Sequence, residues 1–568
     1  MKRFILISLC TLLIVTTAAC TNNSTSTTGS EETKLTGVAK GFGGELTVEV
    51  IKEGDEITSV EVIKQSETAD IATPALEEIP KAIVESNSTD VEAVSGATVT
   101  SNAIIDAVNN ALDPEAYPAP SEEAEDNTNS PESIEAAEAY QGFGISNMGR
   151  IGPGKDDTDT SVYSINQVFA NALFDEDGKI LALHVDQLES ATPNYDGDGM
   201  PHFSGFPGQG GYNLDENHDA KIDSKTPDTE DQFLNEIEGW ATKRDRGENY
   251  VMGTGTWANQ MDAFEDLFVG MTVEEVEEWF NSYTSDVNGR PLKADSSNDE
   301  DVEKFNSLED DEKEMLADVT SSATMSLNDS HGNIIEAIRL AYDNKVALES
   351  ESIALQGFGV SNTGRIGPGK DDTDTSVYSI NQVFAHTLFD EDGKIIDIYV
   401  DQLEIATPNY DGDGMPHFSG FPGQGGYNLD ENHDAKIDSK TPDTEDQFLN
   451  EIEGWATKRD RGENYVMGTG TWANQMDAFE DLFVGMTVEE VEEWFNNYTS
   501  DINGRPLKAD SNNDEDVEKF NSLEDDKKEM LADVTSSATM SLNDSHGNII
   551  EAIKKSFENA EEIDITIK

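Results

Sequence analysis

Three threonines stand where a covalent phosphate linkage could form. Glu92, Ser95, Gly96, Ala97 and Thr98 make an acid-x-x-Ser-Gly-Ala-Thr string, and apolar residues at helical spacing follow: Ile104, Ile105, Val108 and Leu112. A related string occurs twice more, as Asp318, Ser321, Ser322, Ala323 and Thr324, and as Asp533, Ser536, Ser537, Ala538 and Thr539. The spacing predicts a turn of small residues ahead of an apolar helix in each case. A helix N-terminus offers unpaired N–H groups and the positive end of a dipole, which hold a phosphate well. Small residues let the backbone come close to it, and a Thr hydroxyl there is placed to carry a phosphoester. The same residues equally suit an ordinary N-cap, where Ser and Thr are common. Spacing alone leaves both readings open.

The elements that must position these threonines read as α+β. Residues 35–113 form a first domain. Residues 46–51 alternate as a half-buried strand should, Glu53-Gly54-Asp55 supplies a turn, and residues 57–63 return. A helical stretch over 75–86 leads to the Ser-Gly-Ala-Thr turn and a closing helix to Leu112. Residues 114–137, rich in Pro, Glu, Ser and Asn, read as a linker. A tandem repeat follows, over 138–345 and 353–560. Gly142-Phe143-Gly144 recurs as Gly357-Phe358-Gly359, and Thr324 as Thr539, both at a distance of 215 residues. Such a period is too long for a solenoid unit and means duplicated domains.

Each repeat shares the first domain's layout. In the first copy, residues 162–169 and 180–185 flank an Asp177-Gly178 turn, a hairpin signal. Gln187 and Glu189 (Gln402 and Glu404 in the second copy) then stand where the first domain has Gln65 and Glu67. They could line a ligand edge or serve as turn residues. A Gly- and Asp-rich insertion, 190–317 and 405–532, separates this strand from the Thr turn. Within it, Thr272 with Glu275 three residues on makes a capping box, with Val273, Val276 and Phe280 facing inward. Ten residues separate Thr324 from Ile334, against six between Thr98 and Ile104. The difference is close to one helical turn, so the apolar face can keep its phase, unless Gly332 breaks the helix.

Residues 35–113 resemble the FMN-binding domain of the C subunit of sodium-pumping NADH:quinone reductase and the G subunit of the Rnf complex. Gly41-Phe42-Gly43-Gly44-Glu45-Leu46, the hairpin, Ser66-Glu67-Thr68 and the run from Ser95 to Ser101 carry the likeness. The resemblance implies that Thr98 bears FMN through a phosphodiester bond, installed by a Mg²⁺-dependent flavin transferase that takes FMN from FAD. Glu92 stands where the family usually has Asp. In the repeats the resemblance is partial: Asp318 and Asp533 restore the acid, but Ser322 and Ser537 replace Gly96. If that position needs positive φ, a non-Gly residue costs roughly 1–2 kcal/mol. The resemblance implies FMN on Thr324 and Thr539 as well, giving three flavin-bearing modules, the second and third enlarged.

The N-terminus carries a targeting pattern. Lys2-Arg3, an apolar run over 4–15 and Thr17-Ala18-Ala19-Cys20 read as a secretory signal. The end of this segment, residues 1–20, resembles the lipobox of bacterial lipoproteins, which implies a lipid on Cys20. Residues 21–34, rich in Ser, Thr and Asn, read as a tether. Only Cys10 and Cys20 exist, so disulfides, thiolate metal sites and Cys-attached haem are excluded from the mature chain. A net charge of −79 argues against nucleic acid as a partner. The whole layout resembles the flavinylated surface lipoproteins of Gram-positive extracellular electron transfer. That likeness implies a place on the outer face of the membrane. It implies electrons from quinol or an NADH:quinone dehydrogenase, passed to ferric iron, free flavin or another external acceptor. A different reading is an acidic surface lipoprotein whose insertions hold a ligand or cell-wall component, with flavin only on the first domain or absent.

Other motifs weigh less. Gly149 to Lys155 has P-loop spacing, but Asp156 replaces the Mg²⁺-binding hydroxyl. Residues 215–219 resemble the start of a calcium loop without its turn Gly or its Glu. His202, His218 and His331 read as structural, and Trp240, Trp257 and Trp279 as core, with flavin stacking a minor option for one of them. No metal site is expected.

Overall fold

The computed structural model describes residues 32–568 except 42–43, 55, 66–68, 90, 92–93, 95–97, 113, 115–116, 118–133, 196–198, 209–211, 215–223, 227–228, 248–249, 253–254, 349, 351, 372, 411–413, 424–426, 430–438, 442–443 and 463–464. The signal segment, Cys20, Glu67, Glu92, Ser95, Gly96, Ala97, His218 and the calcium-like loop therefore lie outside the described residues. Both helices and strands build the chain, which is α+β. It divides into two compact units, Met1–Thr128 and Asn129–Lys568. Among the described residues no helix is long and apolar enough to cross a membrane.

In the first unit, β1 (Glu32–Gly41), β2 (Gly44–Glu53) and β3 (Glu56–Lys64) form an antiparallel meander. The predicted hairpin is β2–β3, turning at Gly54 with φ +66. The strand β1, which sequence patterning did not show, pairs along β2 from Glu32↔Glu53 to Gly41↔Gly44. Helices α1 (Ala69–Ser86) and α2 (Thr98–Leu112) cover the sheet. Of the periodic residues, Ile104 and Val108 are fully buried against Leu46, Val48, Val50, Ile79 and Ile83, while Ile105 and Leu112 pack at the edge. The close approach of α2 to β1 depends on Gly37: a Cβ there would lie 1.9 Å from the Ala107 carbonyl oxygen.

The same close approach recurs in the second unit and explains its Gly-Phe-Gly motif. The first repeat has β5 (Ala139–Lys155), β6 (Ser161–Asp175) and β7 (Ile180–Ala191), preceded by the short β4 (Ile134–Ala136). Its insertion supplies α3 (Glu230–Glu238), α4 (Trp257–Phe268), α5 (Val273–Tyr283), α6 (Asp299–Ser307) and α7 (Asp310–Ser322), and α8 (Ile334–Asp343) closes it. After β8 (Val346–Ala347), the second repeat follows as β9 (Ser352–Lys370), β10 (Ser376–Phe389) and β11 (Ile395–Ala406). Its helices are α9 (Glu445–Glu453), α10 (Trp472–Phe483), α11 (Val488–Tyr498), α12 (Asp514–Ser522), α13 (Asp525–Ser537) and α14 (Ile549–Glu558), with β12 (Glu561–Ile567) last. A Cβ on Gly142 or Gly144 would lie 2.1 Å from a carbonyl oxygen of α8, and one on Gly357 1.9 Å from a carbonyl oxygen of α14.

The repeats are not independent beads. Their sheets, ordered β8-β5-β6-β7 and β11-β10-β9-β12-β4, are joined by one aromatic core. Phe143 meets Phe358 and Phe384, and Phe203 meets Phe418 and Phe421. Helix α3 packs across onto the other repeat at Gly364, and α9 reciprocally at Gly149. Tyr163 donates to Glu445, and Tyr378 to Glu230. The strand β4, within the expected linker, pairs in parallel with β12. Each repeat also has its own core beneath α4 or α10, where Trp257 and Trp472 are buried. The Thr272 capping box is present, but Trp279 rather than Phe280 is the fully inward residue of α5. Gly149 to Lys155 lies inside β5, a strand and not a phosphate loop.

Candidate functional site

The second repeat contains a cleft of about 310 Å³ built from distant segments. Strand β9 brings Arg365, and β11 brings Gln402 and Glu404. These two share a face because strand side chains alternate. The turn after α9 brings Lys458, Arg461 and Tyr465, and α10 opens with Trp472. Arg505 and the segment from Met540 to Gly547, including Asp544 and His546, complete the wall. Four cationic side chains thus face two carboxylates, in a chain whose net charge is −79.

Buried groups beneath hold two of these cations, Arg365 and Lys458, in place. Glu404 Oε1 accepts from Arg365 Nη1 (3.2 Å), and its Oε2 lies 3.3 Å from Lys458 Nζ. Burial raises the Glu404 carboxyl, but Lys458, Arg365 and His546 outweigh it and hold it below the usual range. Lys458 Nζ also donates to Gln402 Oε1 (2.8 Å), and Gln402 Nε2 donates to the His546 carbonyl. Gln402 and Glu404 are therefore strand residues bracing the cations, not turn residues. Arg461 stacks over Tyr465 at 3.9 Å, leaving cations and aromatic faces together. His546 Nδ1 lies 2.9 Å from Asp544 Oδ1. Gly547, at φ +143, admits the wall strand: a Cβ would meet Val383 Cγ2 at 2.6 Å.

The first repeat repeats the arrangement. Glu189 pairs with Arg150 (3.2 Å) and Lys243 (3.4 Å). Lys243 donates to Gln187 (2.9 Å), whose Nε2 reaches the His331 carbonyl. Arg246 stacks over Tyr250 at 3.8 Å. Gly332 has φ +153 with Val168 and Gln187 against it.

The threonine strings sit differently in the two units. Thr98 is the first residue of α2, as the sequence led us to expect, and Val94 N–H donates to Ser101 Oγ (3.0 Å). Gln65 follows β3. In the repeats the expectation fails. Asp318, Ser321 and Ser322 lie at the C-terminal end of α7, Ala323 is its C-cap, and Thr324 comes after the helix. Asp533, Ser536, Ser537, Ala538 and Thr539 do the same on α13. The apolar helix starts later: a short hairpin forms at Gly332, and at Gly547 in the second copy, and Asn333 or Asn548 caps a new helix. The apolar phase is thus broken, not carried through. Ser321 and Ser536 donate back to the carbonyls of Asp318 and Asp533 (2.7 Å), and the two acids are exposed. Ser322 and Ser537 have no positive φ, so the Gly-to-Ser change carries no left-handed strain there.

Thr324 and Thr539 instead face the first turn of a helix from the insertion. The Gln475 side chain of α10 accepts from Thr539 N–H (2.9 Å) and Oγ (3.3 Å), and Gln260 of α4 does so for Thr324 at the same distances. Thr539 immediately precedes the cleft residue Met540. Sequence reading missed Arg365, Lys458, Arg461, Arg505, Tyr465 and Gln475. The one available signal was a Lys458-Arg459-Asp460-Arg461 run in an acidic chain.

Residues 41–113 match the family model of the FMN-binding domain. This segment is an FMN-binding domain. The chain is also 34% identical over 217 residues to chlorophenol reductase of Desulfitobacterium hafniense, covering 37% of this chain and 58% of that one. It is 44% identical over 78 residues to urocanate reductase of Eggerthella lenta, covering 14% of this chain and 13% of that protein. NADH:acrylate oxidoreductase of Vibrio harveyi is 38% identical over 78 residues, 14% of this chain and 8% of that protein. The chain thus spans 58% of the first relative's length and much smaller parts of the others.

Proposed function

We propose that the chain is a redox flavoprotein carrying covalent FMN on three threonines, Thr98, Thr324 and Thr539. The observation that carries this reading is the pairing of an FMN-binding domain with a cation- and aromatic-lined cleft in the second repeat, beside a Thr of a related string, whose bracing ion pairs recur in the first repeat. FMN, when bound, supplies one- and two-electron transfer, while the protein sets its position and potential. In the second repeat Arg365, Lys458, Arg461 and Arg505 would receive the anionic parts of the flavin, and Tyr465 its planar part. The Glu404 brace keeps two of those cations at fixed points, so little ordering remains at binding. The names of the relatives, three of them reductases or oxidoreductases, support a redox role. The 217-residue match is close to one 215-residue repeat in length.

On this reading, a Mg²⁺-dependent flavin transferase using FAD installs the cofactor. Cys20 carries a lipid, and the protein works on the outer face of the membrane. It takes electrons from quinol or an NADH:quinone dehydrogenase and gives them to ferric iron, free flavin or another external acceptor. A second reading is favoured by the cleft chemistry together with the chlorophenol reductase match: the cleft takes an aromatic anion such as a chlorinated phenolate as substrate. Co-expression with a flavin transferase separates the two. The carrier reading expects a yellow, fluorescent band that survives denaturation, arising from both the first unit and the repeats. Fluorescence confined to the first unit, with phenolate binding by the repeats, would favour the second reading.

A further inference from the structure

We infer that Gln260 and Gln475 are positioning residues that aim the threonine hydroxyl for flavin attachment in the two repeats. The inference rests on the carrier reading above. Gln475 is 1% exposed and sits in the first turn of α10. Its Nε2 donates to the Met467 carbonyl oxygen (2.5 Å), which fixes the amide's orientation and leaves Oε1 facing Thr539. That oxygen takes both the Thr539 N–H (2.9 Å) and the Thr539 Oγ–H (3.3 Å). One buried acceptor thus holds the backbone and the side chain of the same residue, directly before the cleft. Gln260 binds Thr324 and the Met252 carbonyl in the same way.

The chemistry assigns the proton. Donating Oγ–H to Gln475 sets the hydroxyl rotor, so the oxygen's lone pairs point away from the amide. In attachment, Thr539 Oγ forms a bond to the flavin-side phosphorus of FAD. The phosphoanhydride P–O bond breaks, AMP leaves, and the hydroxyl proton goes to solvent. No electron changes hands. An amide is too weak a base to take that proton, so Gln475 positions and does not catalyse. Once esterified, Oγ has no proton, and a contact of 3.3 Å would oppose two acceptors. The amide cannot turn over without losing Met467. The modified side chain therefore swings off Gln475 while the N–H bond stays, and attachment releases the side chain from its holder.

The tandem repeat supplies an internal control, because Thr324 and Thr539 can be followed in the same molecule. The full chain is incubated with flavin transferase, FAD and Mg²⁺, and the two threonine-bearing peptides are quantified by mass spectrometry over time. Gln475→Met removes the acceptor and keeps the shape. It should slow modification of Thr539 about fivefold, the rate equivalent of one hydrogen bond of ~1 kcal/mol, and leave Thr324 unchanged. Gln475→Glu keeps an acceptor for Thr539 and, protonated by its burial, a donor to the Met467 carbonyl, and should restore most of the rate. Gln260→Met should reverse the pattern. Equal slowing in the Met and Glu variants would mean that Gln475 only supports the fold, and equal rates in all chains would mean that it does not aim the hydroxyl; either overturns the inference. A wild-type chain unmodified at both threonines would instead sink the carrier reading of the repeats.

Discussion

Replacing Glu404 by Gln tests whether the cleft is held open by a buried ionic brace. The carboxylate is 2% exposed and neutralises Lys458, 3% exposed, and Arg365, 13% exposed. Removing it strands two largely buried cations, and breaking a buried pair from one side costs about 3–5 kcal/mol. At about 2 °C per kcal/mol for a large unit, melting should fall by roughly 6–10 °C at pH 7. The pH dependence has a definite sign. Burial raises the carboxyl, but Lys458, Arg365 and His546 depress it further, so its folded pKa lies below its unfolded value. Its stabilisation is therefore present above the unfolded pKa of about 4.3 and is lost as pH falls through the folded one. Thermal melts of wild type and Glu404→Gln at steps between pH 8 and pH 3 should show a gap that narrows on acidification. Adding Lys458→Met should recover part of the loss by removing one stranded cation. A variant within about 1 kcal/mol of wild type at pH 7, or a gap that does not change with pH, would refute the brace.

Two other outcomes follow from the geometry. Gly547→Ala should destabilise the second repeat by about 2–5 kcal/mol, combining left-handed strain with overpacking against Val383, and denaturant titration would read it. Burial raises Glu451 to about 7, against the hydrogen bonds from Ser419. Its folded pKa exceeds the unfolded one, so wild type loses stability as pH climbs from about 4.5 to 7. Glu451→Gln, which does not titrate, should match wild type near pH 4 and exceed it by about 3 kcal/mol at pH 8, seen in melts at the two pH values.

Local chemistry was legible in the sequence, and long-range assembly was not. The β2–β3 hairpin, the Asp177-Gly178 turn and the Thr272–Glu275 capping box depend on residues a few positions apart, and all are present. The apolar face of α2 was equally plain, because Ile104 and Val108 lie one turn apart. The threonine strings show where such reasoning stops. Nearly the same residues open α2 in the first unit and close α7 and α13 in the second. What differs is the segment after the string, where a short hairpin containing Gly332, at φ +153 with no room for a Cβ beside Val168, separates the threonine from the apolar helix that Asn333 caps. The cleft is still less local. Arg365, Lys458, Arg505 and His546 span some 180 positions, and only the folded sheet brings them to one wall. The exchange of α3 and α9 between repeats likewise has no sequence signal, since both faces are simply apolar.

The most direct test of the central claim is the intact mass of the chain after exposure to a flavin transferase with FAD and Mg²⁺. Three covalent FMN increments are predicted, with one lost in each of Thr98→Ala, Thr324→Ala and Thr539→Ala. A mass showing one increment, abolished by Thr98→Ala and untouched by the other two substitutions, would contradict the claim that the repeats carry flavin.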